Sequence, residues 1–533
     1  MWRVPHLFCR ETQGSALVWL AATTAGAGFL LFGYDQGVMS GLITLESFLN
    51  TFPECRDPDI SGITVAIYEI GCLGGAVGAI LFGDRLGRKN MIMLGMSIMI
   101  VGAIILAASY GLAQFIVGRI VTGVGNGIST ATIPSLQSEL APANIRGALI
   151  LVSGALIATG IALAYAIGLG FYFVDNSATW RFPLAFQIVL AVIVMILLLF
   201  IPESPAWLVK HSPRHKEYYA EAKATLVKMH ERPEDDGFVD EVIDSIHSSA
   251  AAVGAFKFSD LFTRGPTQNF RRALLGLLAQ AFQQLTDKCP RINLVSYYAT
   301  TLFERIGLSP IQSRILALGN GLEYALAAFL CVTFVDKFGR RNLMLIGAIG
   351  CGLCMVILTI LVHFNDLGNE SCGKGAVLFL FLFNTFFAAG WLGMGWLYPS
   401  EVSSLPVRAQ ANGVSTCSNW IWNFVVVMIT PPGFDSIGAY TYLIFGIINL
   451  AIIAPVVYLF FPETARRSLE EIDLIFAEAY NDKTSGDAAL GGYVQHSKNR
   501  PPISGRELDK QLQAQLAQAK NSNKGSIEHI EKV

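Results

Sequence analysis

Twelve apolar runs divide this chain, at approximately 16–41, 62–82, 91–110, 112–136, 148–173, 181–201, 272–303, 312–335, 343–363, 374–398, 409–431 and 439–461. Runs of this size match the roughly 20 helical residues that cross a hydrocarbon core. No water there can satisfy backbone N–H and C=O groups, so each run must close its own hydrogen bonds as a helix. The pattern predicts an all-α membrane protein with twelve transmembrane helices. Composition agrees: 53% of the residues are hydrophobic, 15% are charged and the mean hydropathy is +0.49, where soluble domains carry about 25% charged residues. The net charge of −2 gives no reason to expect a nucleic-acid partner. The opening MWRVPHLFCRETQGS is polar and lacks a cleavage pattern, so no signal peptide is expected.

Two charges stand inside these runs where lipid would exclude them. Asp35, in GFLLFGYDQGVMSG, belongs to the first run, and Arg119 is the only cation inside the fourth. A carboxylate at such a place costs ~2.5–3.5 kcal/mol on insertion scales, so it faces a cavity or a partner. At 1.5 Å rise per residue both lie roughly 10 Å below the same membrane surface, and they are expected to pair. The plainer alternative is an acid near the end of a shorter helix, reaching water. Glu69 in the second helix and Glu323 in the eighth are the other intramembrane acids. Glu69 is a reserve candidate for proton binding.

Basic residues set the orientation. Arg85, Arg88, Lys89, Arg146, Lys337, Arg340, Arg341, Arg408, Arg466 and Arg467 fall on one side, together with the long polar segment 202–271. The positive-inside rule puts both termini and that segment in the cytoplasm. The sequon Asn369-Glu370-Ser371 falls on the opposite face. The expected division is a cytoplasmic 1–15, a six-helix half at 16–201, a helical linker at 202–271, a second half at 272–461, and a cytoplasmic tail at 462–533. That tail is polar enough to be disordered from about residue 481.

The halves repeat one another. GDRLGRKN (83–90) returns as VDKFGRRN (335–342), SELAPANIRG (138–147) as SEVSSLPVRA (400–409), and PESPAWL (202–208) as PETARRSL (462–469). Two parallel six-helix halves with a site between them are the architecture of a secondary transporter. Each repeated motif mixes carboxylate with guanidinium at a cytoplasmic junction. Asp84, Arg85, Arg88, Glu139, Arg146 and Glu203, then Asp336, Arg340, Arg341, Glu401, Arg408 and Glu463, are the expected cytoplasmic gate, through charge-assisted bonds between neighbouring helices. For one such loop alone, a positive-inside anchor would be explanation enough.

GYDQG (33–37), GDRLGRK (83–89), GRIVTGVGNG (118–127), PESPAWL, QQL (283–285), VDKFGRR (335–341) and PETARRSLEEID (462–473) together resemble the sugar porter family of the major facilitator superfamily, over roughly residues 16–480. QSEL (137–140), FTRGPTQNFRRAL (262–274), STCSNWIWNFVVVM (415–428) and EEIDLIFAEAY (470–480) are similar to its fungal branch, with its hexose transporters and the yeast glycerol–proton symporter. The resemblance implies a substrate site between the halves at Gln283, Gln284, Asn293, Trp396 and Asn419. Amides bind several hydroxyls of a neutral ligand, and an indole covers its C–H face. A lone amide in a membrane more often joins helices. The resemblance also implies that GYDQG is a proton-coupled form, with Asp35 and Arg119 carrying the coupling.

The chain departs from the family at several points. Gly154 stands where many members have Gln, Tyr324 where Asn is usual, Ala388 where Glu is usual, and Ala206 replaces an Arg. QQLTDKCPRIN is four residues longer than the family pattern and puts Asp287, Lys288, Pro290 and Arg291 near the substrate level. A genuine insertion and a misread exon boundary both remain open. Cys351 and Cys354 form a CxxC within an apolar helix, where packing is the better reading. Cys55 and Cys372 fall in outer loops, and spacing leaves open whether they pair. No nucleophile–base arrangement, metal cluster or cofactor motif stands out.

The expected function is transport of a monosaccharide by alternating access, as a sugar–proton symporter of the plasma membrane, acting as a monomer. A glycerol or polyol symporter and a non-transporting sugar sensor of the same fold are the alternatives. A membrane-bound enzyme is disfavoured.

Overall fold

The computed structural model describes residues 14–141, 146–212, 216–230, 258–287, 308–404, 407–465 and 469–481, except 264 and 266, together with 237, 239–240, 243–244, 300, 303, 467 and 494. The stretch expected to be disordered, from about residue 481, otherwise lies outside them.

Twelve long helices follow the apolar runs: α1 (Gly14–Leu42), α2 (Pro58–Leu86), α3 (Arg88–Ala107), α4 (Leu112–Leu140), α5 (Arg146–Phe171), α6 (Ala178–Phe200), α7 (Asn269–Asp287), α8 (Pro310–Val332), α9 (Arg340–Asp366), α10 (Glu370–Phe387, continued to Val402), α11 (Arg408–Ile437) and α12 (Tyr440–Phe460). Among the described residues, nine are long and apolar enough on their own to cross a membrane. The other three, α4, α7 and α11, carry buried polar side chains including Arg119, Gln283 and Asn419. Side chains such as Leu81, Leu326, Leu353 and Leu378 point outward from the bundle, as a lipid-facing surface requires.

Small residues set the helix spacing. A Cβ on Gly33 of α1 would land on the Ile157 carbonyl of α5, and one on Gly127 of α4 on the Cys72 carbonyl of α2. In the first half α1 lies along α5 and α6, and α4 along α2 and α3. In the second, α7 packs on α10 and α11, and α9 on α10 and α12. The halves meet where α5 faces α8 and α2 faces α11.

Two helices are not uniform. α10 passes through a π turn at Ala388–Leu392, and α12 through one at Ile448–Ile453. Such turns add a residue to the helical circuit and occur often at functional positions. Cys55 and Cys372, whose pairing the sequence left open, are free thiols, and Cys55 Sγ lies 3.7 Å from Thr64 Oγ1.

Candidate functional site

Asp35 and Arg119 are both 0% exposed, with Arg119 Nη1 3.6 Å from Asp35 Oδ1. The guanidinium is further held by the α2 backbone: Nη2 donates to the Val65 carbonyl at 3.1 Å, and its centre lies 4.4 Å above the Tyr68 ring. Charge, carbonyl and π face thus converge on one cation, which keeps a buried pair tolerable. Tyr34, beside Asp35, donates its hydroxyl to the Pro183 carbonyl at 2.8 Å and so fixes α1 against α6. Glu69, next to Tyr68, is also fully buried.

The second half gathers buried amides on α7 and α11. Gln283 Nε2 donates to the Leu392 carbonyl at 3.0 Å, the last carbonyl of the α10 π turn. Asn419 Nδ2 lies 2.5 Å from Gln280 Oε1 and 3.2 Å from Gln283 Oε1. The structure therefore brings Gln283 and Asn419 into one network across α7, α10 and α11, with Gln284 buried on the same helix. Trp396 is buried too, but against the other half. Its ring meets Phe29 at 5.6 Å and Phe32 at 6.3 Å, both edge-on, and Phe32 meets Trp420 at 5.4 Å. Gln280, Phe29, Phe32 and Trp420 were not singled out from sequence. Gln280 was findable, since it precedes Gln283 by three residues and shares its helix face.

Asn293 and the unusual Lys288, Pro290 and Arg291 lie outside the described residues, as does the Asp287 side chain. Of the departures, Gly154 backs onto Gly393, whose Cα a Cβ there would approach to 3.2 Å. Tyr324 meets Phe387 at 6.1 Å, and Ala388 opens the π turn.

At the repeated motifs the two halves share a turn, a cap and an Arg–Glu pair. Gly87 and Gly339 turn the chain at φ +87° and +84°, conformations that favour glycine. Glu203 then accepts the backbone N–H groups of Arg88 (3.1 Å) and Lys89 (3.1 Å), and Glu463 those of Arg340 (2.8 Å) and Arg341 (3.1 Å). Both carboxylates cap helix N-termini, where the backbone favours negative charge. Burial pushes the Glu203 carboxyl above its ordinary range, against the opposing pull of the Ser204 N–H and Arg88. Arg88 pairs with Glu139 at 3.2 Å, and Arg340 with Glu401 through two bonds of 3.1 and 3.3 Å. Thr464 donates a third bond to Glu401 at 2.6 Å.

Each cluster lies within one half. Arg340 also reaches the seam, since a Cβ on Gly147 of α5 would lie 3.2 Å from its Nη2. Asp84 pairs with Lys210 at 2.8 Å, and Arg408 donates to the Ser403 carbonyl at 3.3 Å. Arg85 is exposed and takes no part in the clusters. The side chains of Arg146 and Asp336 lie outside the described residues. At the opposite end, Arg314 of α8 donates to Thr44 at 3.0 Å and lies 4.5 Å above the Tyr172 ring, while Thr300 donates to the Ser40 carbonyl at 2.5 Å. Side chains thus bond across the seam at this end, and Arg340 lies against Gly147 at the other.

The family model described as "Sugar (and other) transporter" matches residues 20–476. This chain belongs to that family. It is 40% identical over 489 residues to the sugar transporter STL1 of Saccharomyces cerevisiae, covering 88% of this chain and 83% of that one. It is 39% identical to the MFS-type transporter oryC of Aspergillus oryzae, covering 87% and 86%. Among solved structures it resembles the major facilitator proton:xylose symporter XylE bound to 6-bromo-6-deoxy-D-glucose, with a TM-score of 0.74, 25% identity and 87% and 100% coverage. A partially occluded inward-open form of XylE from E. coli, also 25% identical, gives a TM-score of 0.69 over 85% and 100%. The family's members are transporters, so the chain is a membrane transporter of the major facilitator fold with sequence relatives in fungi.

Proposed function

We propose that this protein is a proton-coupled symporter of a small neutral sugar or polyol, with the Asp35–Arg119 pair as its proton-responsive element. The observation that carries the proposal is the double role of α1. Asp35 follows Phe32 by one turn, and Phe32 touches both Trp396 and Trp420 of the other half. A proton arriving on Asp35 removes one charge of the pair, frees α1 from Arg119 and lets the Phe–Trp contact rearrange around a substrate held by Gln283, Gln284 and Asn419. Asn293 joins this set on the resemblance alone.

Substrate choice follows the chemistry of the second half: amides and an indole suit hydroxyls and C–H surface, and no fixed charge faces them among the described site residues. A relative named as a sugar transporter and a neighbour named as a proton:xylose symporter support this class. The two capped Arg–Glu junctions act as the cytoplasmic gate, holding each half's inner helix ends rigid while the seam at Gly147 opens and closes. Both termini face the cytoplasm, the protein sits in the plasma membrane as a monomer, and it carries out no chemical conversion.

The test is uptake of radiolabelled glucose, xylose and glycerol in a transport-null yeast host, with external pH recorded. The expected result is accumulation against a gradient, faster at lower external pH and accompanied by external alkalinisation. Uptake that only equilibrates, at a rate indifferent to pH, would sink the symport reading, and no uptake of any probe would favour a sensor.

A further inference from the structure

Asn320 of α8 and Asn384 of α10 form a second buried amide pair, outside the network around Gln283. Asn384 Nδ2 donates to Asn320 Oδ1 at 2.7 Å, and the residues are only 2% and 1% exposed. One bond between two amides leaves one NH₂ group and one carbonyl oxygen unused. Asn320 Nδ2 and Asn384 Oδ1 have no partner among the described residues. Turning both amides over exchanges the two roles and leaves the same surplus. Joining α8 to α10 needs only the one bond, so the surplus asks for another occupant.

Helix phase places the pair. Leu322 and Leu326 mark the outer face of α8, and Leu378 and Leu382 that of α10. At 100° per residue, Asn320 and Asn384 stand on the opposite faces. One turn beyond Asn384 is Ala388, which opens the π turn ending at Leu392, the acceptor of Gln283. One turn beyond Asn320 is Tyr324, and after another comes Ala328. Ala328, Ala388 and Leu392 line a small cavity with Leu151 and Ala155 of α5, on the seam between the halves. The two asparagines thus head columns that run down to the amide network and the seam.

We propose that the Asn320–Asn384 pair is a second hydroxyl-binding subsite, which takes the far end of a five- or six-carbon sugar or polyol whose near end is held at Gln283. The proposal rests on the symport reading above and adds a measure of substrate length. Asn384 precedes Leu392 by eight residues, about 12 Å at 1.5 Å per residue. An extended six-carbon polyol with a hydrogen bond at each end covers that span. Three-carbon glycerol held at Gln283 does not. One surplus donor beside one surplus acceptor suits a vicinal diol, in which one hydroxyl accepts and its neighbour donates.

The test compares Asn320→Ala and Asn384→Ala with the unaltered protein, using sorbitol, glucose and glycerol uptake in the transport-null host and a surface tag to normalise for protein amount. Either variant should raise the KM for the six-carbon probes about tenfold or more, while the KM for glycerol moves less than twofold. Ligand-induced thermal stabilisation of the purified protein gives a second reading that needs no transport: the shift with sorbitol should disappear in Asn384→Ala. Equal losses for all probes, or an unchanged sorbitol shift, would reduce the pair to helix packing. An unaltered protein that accumulates glycerol but neither binds nor carries the six-carbon probes would overturn the subsite and leave the symporter standing. Uptake of none of the probes would overturn both.

Discussion

The two halves repeat one another at the ends that carry the paired Gly–Arg motifs and differ in what they bury. The first half places an acid–base pair and a further acid, Asp35, Arg119 and Glu69, among α1, α2 and α4, beside buried amides such as Asn126 and Gln187. The second encloses neutral amides: Gln280, Gln283, Gln284 and Asn419, on α7 and α11. The repeated turns, caps and Arg–Glu pairs are needed by any half that must move as a body. The interiors are free to diverge, and on the proposed function the first half handles the proton and the second the substrate hydroxyls. α1 crosses that division, since it carries the acid and also the two phenyl rings that touch Trp396 and Trp420.

The contrast breaks most sharply at the ion pair. Arg119→Ala leaves Asp35 buried alone, at a cost of ~3–5 kcal/mol, and little protein should reach the cell surface. Asp35→Asn, which mimics the protonated acid, should fold, lose accumulation altogether and keep substrate counterflow. Both are read from surface-tag fluorescence and paired uptake and exchange assays. Uphill uptake by Asp35→Asn with alkalinisation intact would move the search for the proton site to Glu69.

Gln283→Ala tests the other interior. It removes the bond to the Leu392 carbonyl and one acceptor for Asn419, so the KM should rise ten- to a hundredfold, about 1.4–2.7 kcal/mol. The dependence of rate on external pH should stay unchanged. A shifted pH profile with unchanged KM would mean that the two chemistries are not divided between the halves.

The shared junctions give smaller effects. Arg88→Ala and Arg340→Ala should each slow turnover several-fold and leave the KM within about twofold, since neither touches the interior. Arg340→Ala should be the worse of the two, because its partner Glu401 is held by two guanidinium bonds where Arg88 contributes one. A pure loss of affinity would end the gate reading. The smallest effect belongs to topology: glycosidase treatment should remove one glycan, attached at Asn369, with uptake unchanged. A C-terminal tag reachable from outside intact cells would reverse the orientation.

The twelve helices were legible because apolar length is a direct consequence of bilayer thickness. Asp35 and Arg119 were legible because ions inside apolar runs need partners. The repeated motifs single out Glu203 and Glu463 but not their bonds: both accept backbone N–H groups, which no spacing of side chains displays. The π turn at Ala388–Leu392 was hidden because AAGWL reads as ordinary apolar helix. Phe29 and Phe32 look like lipid-facing residues until the second half is brought against them. Arg85, expected at the gate, is exposed, and motif membership says nothing about which face of the last turn of α2 a side chain takes.

The depth of Asp35 has an electrical consequence. It lies seven residues before the end of α1, about 10 Å along the helix, in a hydrocarbon core of about 30 Å. With that end facing outward, as proposed, a proton bound there has crossed roughly a third of the membrane field. Moving a full charge through 100 mV is worth ≈ 2.3 kcal/mol, so a third of that distance amounts to about 0.8 kcal/mol per 100 mV. A negative interior should therefore draw protons onto Asp35, and the resting potential of the cell becomes a second driving force beside the pH gradient.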